Sequence, residues 1–223
     1  MVTRLSPRSG YSRAERLSDA AVHLSGLSAA VLAVPVLITL AVVWRGDGQA
    51  IAGVSVYGVT LIAMILCSAL YNMTVHPYWN AVFRRMDHSA IYCKIAGTFT
   101  AFVMLSGQGA VLLAGIWVAA LCGTALRLLA PDRFRWLALA IYLGMGWIGT
   151  AVGWPMFAAF SGSVFALIAV GGVLYTIGTG FFLFERLPFH NTIWHVFVLT
   201  ASVVFYAAVM IHLAETSMSE SVT

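Results

Sequence analysis

The chain has 223 residues, of which 61% are hydrophobic and only 9% are charged, with a net charge of +4 at pH 7 and a mean hydropathy of +0.92. This composition excludes an ordinary soluble domain, in which about 25% of residues are charged. It predicts an all-α protein that crosses a membrane several times, because a spanning helix needs about 20 predominantly apolar residues.

Seven apolar stretches are long enough to span a bilayer. In chain order they cover residues 20–44, 49–75, 88–106, 109–126, 136–154, 156–184 and 189–213. A single helix over residues 136–184 would be about 74 Å long, against a hydrocarbon core of about 30 Å. The chain must therefore turn back, and Gly153-Trp154-Pro155 predicts the turn. Ser106-Gly107-Gln108-Gly109 predicts a second such turn, and we expect both loops to be very short.

Arginine positions indicate the orientation, because short cytoplasmic loops carry an excess of Lys and Arg. Only Arg45 falls on one side of the predicted membrane, whereas the other side holds Arg4, Arg8, Arg13, Arg16, Arg84, Arg85, Arg127, Arg133, Arg135 and Arg186. The N-terminus is therefore predicted in the cytoplasm and the C-terminus outside. We expect a cytoplasmic tail over residues 1–16, a membrane domain over 17–214 and a C-terminal tail over 215–223. The positive charge reflects this topology and indicates no nucleic-acid partner.

Nine polar or ionisable side chains lie inside or at the ends of the apolar stretches near the predicted cytoplasmic face. They are Asp19, His23, Ser68, Asn72, Asp87, His88, His190, Asn191 and His195. Ionisable groups are costly in a bilayer and usually mark a site or a pathway. Helical positions four apart share a face, which pairs Asp19 with His23, Ser68 with Asn72, and Asn191 with His195. The pattern predicts a polar pocket that opens toward the cytoplasm and is accessible to lipid. His212 lies about 25 Å along the helix from His195 and is expected at the outer interface.

Three segments resemble the bacterial hemolysin III family, within the progestin and adipoQ receptor superfamily. They are Ser68-Ala-Leu-Tyr-Asn72, the run from Arg84-Arg85-Met86-Asp87-His88 through Thr100, and Asn191-Thr192-Ile193-Trp194-His195 with the apolar residues that follow. The resemblance covers the chain from Glu15 to the last helix. It implies a seven-helix fold, a bacterial inner membrane location, and a role in membrane lipid homeostasis or sensing, with membrane lipids or a small hydrophobic ligand as partners.

The same resemblance implies a zinc site. Superfamily members similar to adiponectin receptors carry zinc in the cytoplasmic half of the bundle, and ceramidase-type hydrolysis is associated with them. Their ligand positions match Asn72, Asn191 and His195, with Ser68 matching a family serine and Asp87 a water-positioning aspartate. Protein zinc is bound by imidazole, thiolate or carboxylate. Two amides should therefore weaken or abolish the site unless other side chains, such as His88 or His23, reinforce it.

Several functions stay open at this point. A metal-dependent lipid amide or ester hydrolase would use metal or His195 to activate water, with Asp87 as the positioning base and Ser68 polarising the carbonyl. A receptor or regulator would use the same polar residues only to couple helices. A cytolytic pore is the third alternative.

Two further residues have alternative interpretations. Asp87 could begin a helix and cap it. Lys94, seven residues later, lies within about 20° of the same helix face and about 10 Å deeper. It could extend toward Asp87 in place of the metal's charge, or reach a water-filled cavity.

Overall fold

The computed structural model describes residues 12–130 and 133–220. Within these residues the chain forms eight α-helices and no strand: α1 (Arg13–Trp44), α2 (Gly48–Met73), α3 (Pro77–Ser106), α4 (Ala110–Leu129), α5 (Arg135–Val152), α6 (Trp154–Phe157), α7 (Gly162–Leu183) and α8 (His190–Glu220). Seven of them, all but the short α6, are long and apolar enough to cross a membrane. The predicted all-α, seven-helix fold class is confirmed.

Part of the predicted organisation lies outside the described residues. This applies to residues 1–11 of the predicted N-terminal tail, with Arg4 and Arg8, and to residues 221–223 of the predicted C-terminal tail. Helix α1 begins at Arg13 and α8 reaches Glu220, so both helices extend beyond the apolar stretches that predict them. An odd number of spans predicts that the two ends of the described chain lie on opposite sides of the membrane. Which side faces the cytoplasm stays a prediction from the arginines.

The turn between α3 and α4 is confirmed at Ser106–Gly109. Gly107 has a φ of 68° and Gly109 a φ of 91°. Both values lie in the left-handed region, which residues with a Cβ rarely adopt, so two glycines permit this tight reversal.

The turn after α5 begins at Gly153 as predicted, but the expectation of a very short loop is wrong. Pro155 stands in the first turn of α6, where its missing N–H is tolerated. Helix α7 begins only at Gly162, where the Ser161 hydroxyl accepts a hydrogen bond from the Val164 N–H at 3.3 Å. Apolarity alone could not separate α6 from α7, because three of the four connecting residues, Ala158, Ala159 and Phe160, are also apolar.

Helix α3 begins at Pro77, well before the apolar stretch that predicts it. Proline is favoured at the first helical position because its φ suits a helix and its missing N–H would have no partner there. Asp87 consequently lies roughly three turns inside α3. The expectation that Asp87 begins the helix and caps it is therefore wrong. His76 occupies the N-cap position, without a side-chain cap hydrogen bond.

Helix α3 is the most buried of the spanning helices and forms the centre of the bundle. It packs against α2, α4, α5 and α8, while α1 packs against α2 and α8 and closes the bundle. A close approach between α2 and α3 occurs where a Cβ on Gly97 would overlap the side chain of Thr60. The start of α1, the end of α2 and the start of α8 meet at one end of the bundle, and this arrangement brings the polar side chains together.

Candidate functional site

Two histidines and a serine from three helices form the centre of the polar cluster. The Ser68 Oγ lies 3.0 Å from His23 Nε2 and 3.2 Å from His195 Nε2. The two imidazole rings meet edge to face, with their centroids 4.3 Å apart. All three side chains are buried. Helices α1, α2 and α8 are therefore joined through the Ser68 hydroxyl.

A backbone carbonyl sets the tautomer of His23. The Nδ1 atom lies 2.6 Å from the carbonyl oxygen of Asp19, one turn earlier in α1. Because a carbonyl oxygen can only accept, Nδ1 carries the hydrogen, and Nε2 of the neutral ring is the acceptor. The Ser68 hydroxyl therefore donates its hydrogen to His23 Nε2.

The amides of Asn191 and Asn72 form a relay that starts at a carboxylate. Asn191 Nδ2 donates to Asp19 Oδ2 at 2.9 Å and to Asn72 Oδ1 at 3.1 Å. Asn72 Nδ2 then faces His23 Nε2 at 3.2 Å and His195 Nε2 at 3.5 Å. Since a carboxylate only accepts, Asp19 orients the Asn191 amide, which in turn orients Asn72. As a result, Asn72 directs its N–H, and not its carbonyl oxygen, at the two histidines.

Asp19 is held by further contacts between the starts of α1 and α8. It is buried, and its Oδ1 accepts a hydrogen bond from the Thr192 hydroxyl, which also lies 3.1 Å from Ser18 Oγ. Nearer the surface, Glu15 Oε1 accepts from the Phe189 backbone N–H at 3.1 Å. Thr192 is not among the residues predicted from the sequence. Its position next to Asn191 could have indicated that its hydroxyl also faces α1.

A cavity of about 590 Å³ opens beside this cluster. Of the predicted site residues, it is lined by His23, Ser68, Asn72, Asp87, His88, His190, Asn191 and His195. Asp19 does not line it and lies behind Asn191. Ligand pockets typically measure about 300–1,000 Å³, so the cavity is large enough for a ligand.

The cavity also has walls that the sequence analysis did not identify. Charged and polar lining comes from Arg84, Arg127, Arg135, Tyr142 and Glu185, and Arg135 pairs with Glu185 at 2.9 Å. Apolar lining includes Ile65, Leu139, Phe182, Val198 and Leu199. These residues come from α2, α3, α4, α5, α7 and α8 and from the loop that follows α7, and their convergence is a property of the helix packing. Sequence spacing within a single helix gives no signal for it.

The remaining candidate residues are dispersed. Lys94 is 2% exposed, and its Nζ lies 4.5 Å and 4.8 Å from the ring centroids of Phe205 and Tyr175. It lines a separate, largely apolar cavity of about 130 Å³, which Asp87 does not line. Two aromatic faces hold the ammonium, so the expectation that Lys94 extends toward Asp87 is not supported. His212 is remote from the cluster, as predicted, but is buried with its ring 4.2 Å from that of Phe160.

The residues at the implied zinc positions do not fit that metal. His195 offers an imidazole, but Asn191 is committed to Asp19 and Asn72, and Asn72 presents an N–H to His195. A zinc ion would have to lie where this N–H points. Across residues 12–130 and 133–220, no three His, Cys, Asp or Glu side chains are placed to share a metal ion. Among these described residues, His23 and His195 make only a pair.

The fold and the cavity together define a multi-pass membrane protein with seven spanning helices and a polar cavity at one end of the bundle. The chain belongs to the Haemolysin-III related family, whose sequence model matches residues 13–206. That membership is consistent with the progestin and adipoQ receptor superfamily and confirms the resemblance seen in the sequence.

Similar proteins occur in bacteria and in mammals. Hemolysin-3 of Bacillus cereus is 35% identical over 208 residues, which cover 91% of this chain and 94% of that protein. The Hemolysin-3 homolog of Bacillus subtilis (strain 168) is 34% identical over 203 residues, covering 89% and 94%. Monocyte to macrophage differentiation factor of Homo sapiens is 29% identical over 165 residues, covering 69% and 67%.

Proposed function

We propose that this protein holds a membrane lipid in the 590 Å³ cavity and takes part in membrane lipid homeostasis or sensing, with the cavity on the cytoplasmic side of the bacterial inner membrane. The observation that carries the proposal is the lining of this cavity. Its polar wall contains His23, Ser68 and Asp87, whereas its apolar wall contains Val198 and Leu199. A lipid is also amphipathic, so a headgroup linkage would meet the polar wall and an acyl chain the apolar wall.

The charges around the cavity suit a polar headgroup. Arg84 and Arg127 line it together with the Arg135–Glu185 ion pair and Asp87. Basic pockets between membrane helices on the cytoplasmic side are suited to anionic headgroups. Both signs of charge are present here, so the lining supports either a zwitterionic or an anionic headgroup.

The proposal is tested by filling the cavity and measuring bound lipid. Leu139 lines the cavity, whereas Leu137, two residues earlier in α5, does not line it and is 52% exposed. Leu139→Trp should reduce the lipid that copurifies in mild detergent, quantified by mass spectrometry, and Leu137→Trp should leave it unchanged. Equal lipid content in the wild type and in folded Leu139→Trp would exclude this cavity as the lipid site.

A non-catalytic receptor or regulator is a second candidate, and the hydrogen-bond relay favours it. Asp19, Asn191 and Asn72 connect α1, α8 and α2 through side chains alone. Each such interhelical bond contributes about 0.6–2 kcal/mol, so a ligand that disturbs the relay would change how the three helices pack. Lipid-dependent changes in hydrogen exchange at the starts of α1 and α8, without lipid turnover, would support this candidate.

A cytolytic pore is a third candidate, which the names of the Bacillus relatives suggest. The polar cluster is gathered at one end of the bundle, whereas an aqueous channel needs polar lining along its whole length. We therefore expect no dye release from liposomes that contain the purified protein. Release that depends on protein concentration would favour the pore.

A further inference from the structure

Ser68, His23 and Asp19 have the geometry of a nucleophile, a base and a group that orients the base. Ser68 Oγ lies 3.0 Å from His23 Nε2, and His23 Nδ1 lies 2.6 Å from the Asp19 carbonyl oxygen. An activated serine requires a base within about 2.6–3.2 Å and a third group that holds the base in the correct tautomer. Here the backbone of α1 supplies the third group, so the orientation of His23 does not depend on the Asp19 side chain.

We propose that Ser68 is a catalytic nucleophile and His23 its general base, and that together they hydrolyse an ester or amide bond of a lipid through an acyl-serine intermediate. The proposal rests on lipid binding in the cavity, as proposed above, and adds a chemical activity to it. It also replaces the role in which Ser68 only polarises a carbonyl beside a metal, because the amide positions do not fit zinc.

The cavity allows a substrate to reach the Ser68 hydroxyl and the His23 imidazole. Ser68 and His23 are only 8% and 3% exposed, yet both line the 590 Å³ cavity. A lipid carbonyl in that cavity can approach Ser68 Oγ while the surrounding helices exclude most water. Burial of this kind strengthens the electrostatic interactions on which the reaction depends.

A donor for the developing negative charge lies beside the nucleophile. Asn72 Nδ2 donates one hydrogen to the Ser68 backbone carbonyl at 2.9 Å and also lies 3.3 Å from Ser68 Oγ. The Asp19–Asn191–Asn72 relay orients this amide so that its second hydrogen is directed into the cluster. When the serine oxygen attacks a carbonyl, the carbonyl oxygen becomes an oxyanion close to this donor. Stabilisation by a donor fixed in advance is typically the largest electrostatic contribution to acyl transfer. Asn72, which is unsuited to bind zinc, would thereby stabilise the oxyanion.

The reaction proceeds in two balanced steps. In the first, Ser68 Oγ attacks the carbonyl carbon and its proton passes to His23 Nε2; the carbon–oxygen or carbon–nitrogen bond to the leaving group breaks, and the leaving alcohol or amine takes up that proton. In the second, water attacks the acyl carbon and gives a proton to His23 Nε2. The bond to Ser68 Oγ then breaks, the oxygen recovers the proton, and a free fatty acid is released.

Ser89 provides a matched control. It is a second buried serine, 7% exposed, and its Oγ has no hydrogen-bond partner among the described residues. Without a base beside it, its hydroxyl should be unreactive. Comparison of Ser68 with Ser89 therefore separates activation from burial.

The experiment is covalent labelling of the purified full-length protein in mild detergent with an alkyl fluorophosphonate, in the presence of a zinc chelator. We expect one adduct per protein by intact mass and its location on Ser68 by peptide mass spectrometry. Ser89→Ala should label like the wild type, Ser68→Ala should not label, and His23→Gln should label at least about 100-fold more slowly. Because the adduct is located in the wild type, the result does not depend on the folding of any variant.

Two outcomes would overturn the inference. One is the absence of an adduct on Ser68 in folded wild-type protein, and the other is lipid hydrolysis that requires added zinc and persists in Ser68→Ala. The lipid content measured with Leu139→Trp distinguishes the two proposals. Lipid displaced by Leu139→Trp with no adduct in the wild type would leave lipid binding intact and refute the nucleophile, whereas unchanged lipid content would refute the binding site itself.

Discussion

Replacement of Asn191 by alanine should destabilise the protein substantially, because one amide holds two partners. The variant removes a hydrogen bond to the Asp19 carboxylate and another to Asn72. A hydrogen bond to a charged group contributes about 1.5–3 kcal/mol, and an interhelical bond between neutral groups in a membrane averages about 0.6 kcal/mol. We therefore expect a loss of about 2–4 kcal/mol in the free energy of unfolding, measured by denaturant titration in mild detergent.

Thr200→Ala is the control on the same helix. Thr200 is exposed, and its hydroxyl donates only to Val196 within α8. Its replacement should change the free energy of unfolding by less than about 0.5 kcal/mol. If Asn191→Ala falls in that same small range, the relay does not stabilise the bundle.

A double-mutant cycle tests the relay directly. Asn72 and Asn191 share one hydrogen bond, so Asn72→Ala combined with Asn191→Ala should show a coupling energy of about 0.5–3 kcal/mol. Additivity of the two single variants within about 0.3 kcal/mol would refute the inference that Asn191 orients Asn72.

Three further predictions follow from individual contacts. Asp47→Ala should cost about 1 kcal/mol of stability, since Asp47 Oδ1 caps α2 by accepting from the Ala50 N–H at 2.8 Å. That hydrogen bond is the main cause that lowers the pKa of Asp47. The stability that the Asp47 carboxylate contributes is therefore present above the ordinary carboxyl pKa and is lost as pH falls through the lowered pKa. The thermal unfolding midpoints of the wild type and Asp47→Ala should converge at low pH, and a difference that persists there would contradict a role for the ionised carboxylate. Gly97→Ala should lower the free energy of unfolding by about 1–3 kcal/mol because its Cβ would overlap Thr60, and adding Thr60→Ala should recover part of this loss. A Cβ on Gly146 would meet open space, so Gly146→Ala should leave the free energy of unfolding unchanged. Equal unfolding midpoints for the two glycine variants would contradict the close packing at Gly97. Finally, the folded double variant Asn72→His/Asn191→His should bind about one zinc per protein by elemental mass spectrometry, because Asn72 lies 3.1 Å from Asn191 and 3.5 Å from His195. Failure of this variant to bind zinc would show that the two amides are not the reason the wild type does not fit the metal.

The sequence predicts which polar residues lie at the same depth in the membrane, because depth follows from position along a helix. Ser68 and Asn72 near the end of one helix, and Asn191 and His195 near the start of another, were assigned to one layer by counting residues from the apolar boundaries. Counting from the apolar boundary wrongly puts Asp87 at a helix start, because α3 begins about three turns earlier, at Pro77, in a mixed segment that contains Arg84 and Arg85. Hydropathy reports where a helix is apolar and does not report where its backbone hydrogen bonds end.

The arrangement within that layer was not predictable. His23 and Ser68 are 45 residues apart, and Asn191 and Asp19 are 172 residues apart. Their contacts depend on how α1, α2 and α8 rotate about their axes when they pack. Lys94 shows the same limit, because spacing predicts that it lies on the Asp87 face of α3, whereas its ammonium lies against two aromatic rings from α7 and α8.

The sequence by itself determined that the protein is a seven-helix membrane protein with its polar residues concentrated at one end. The reason is that span length and apolarity are set by the thickness of the bilayer and are written locally along the chain. Only the tertiary structure decided which of those polar groups donate, which accept and which meet a cavity. The direction of the Asn72 amide and the pairing of Ser68 with His23 arise from hydrogen bonds between helices, and such bonds exist only once the helices have packed.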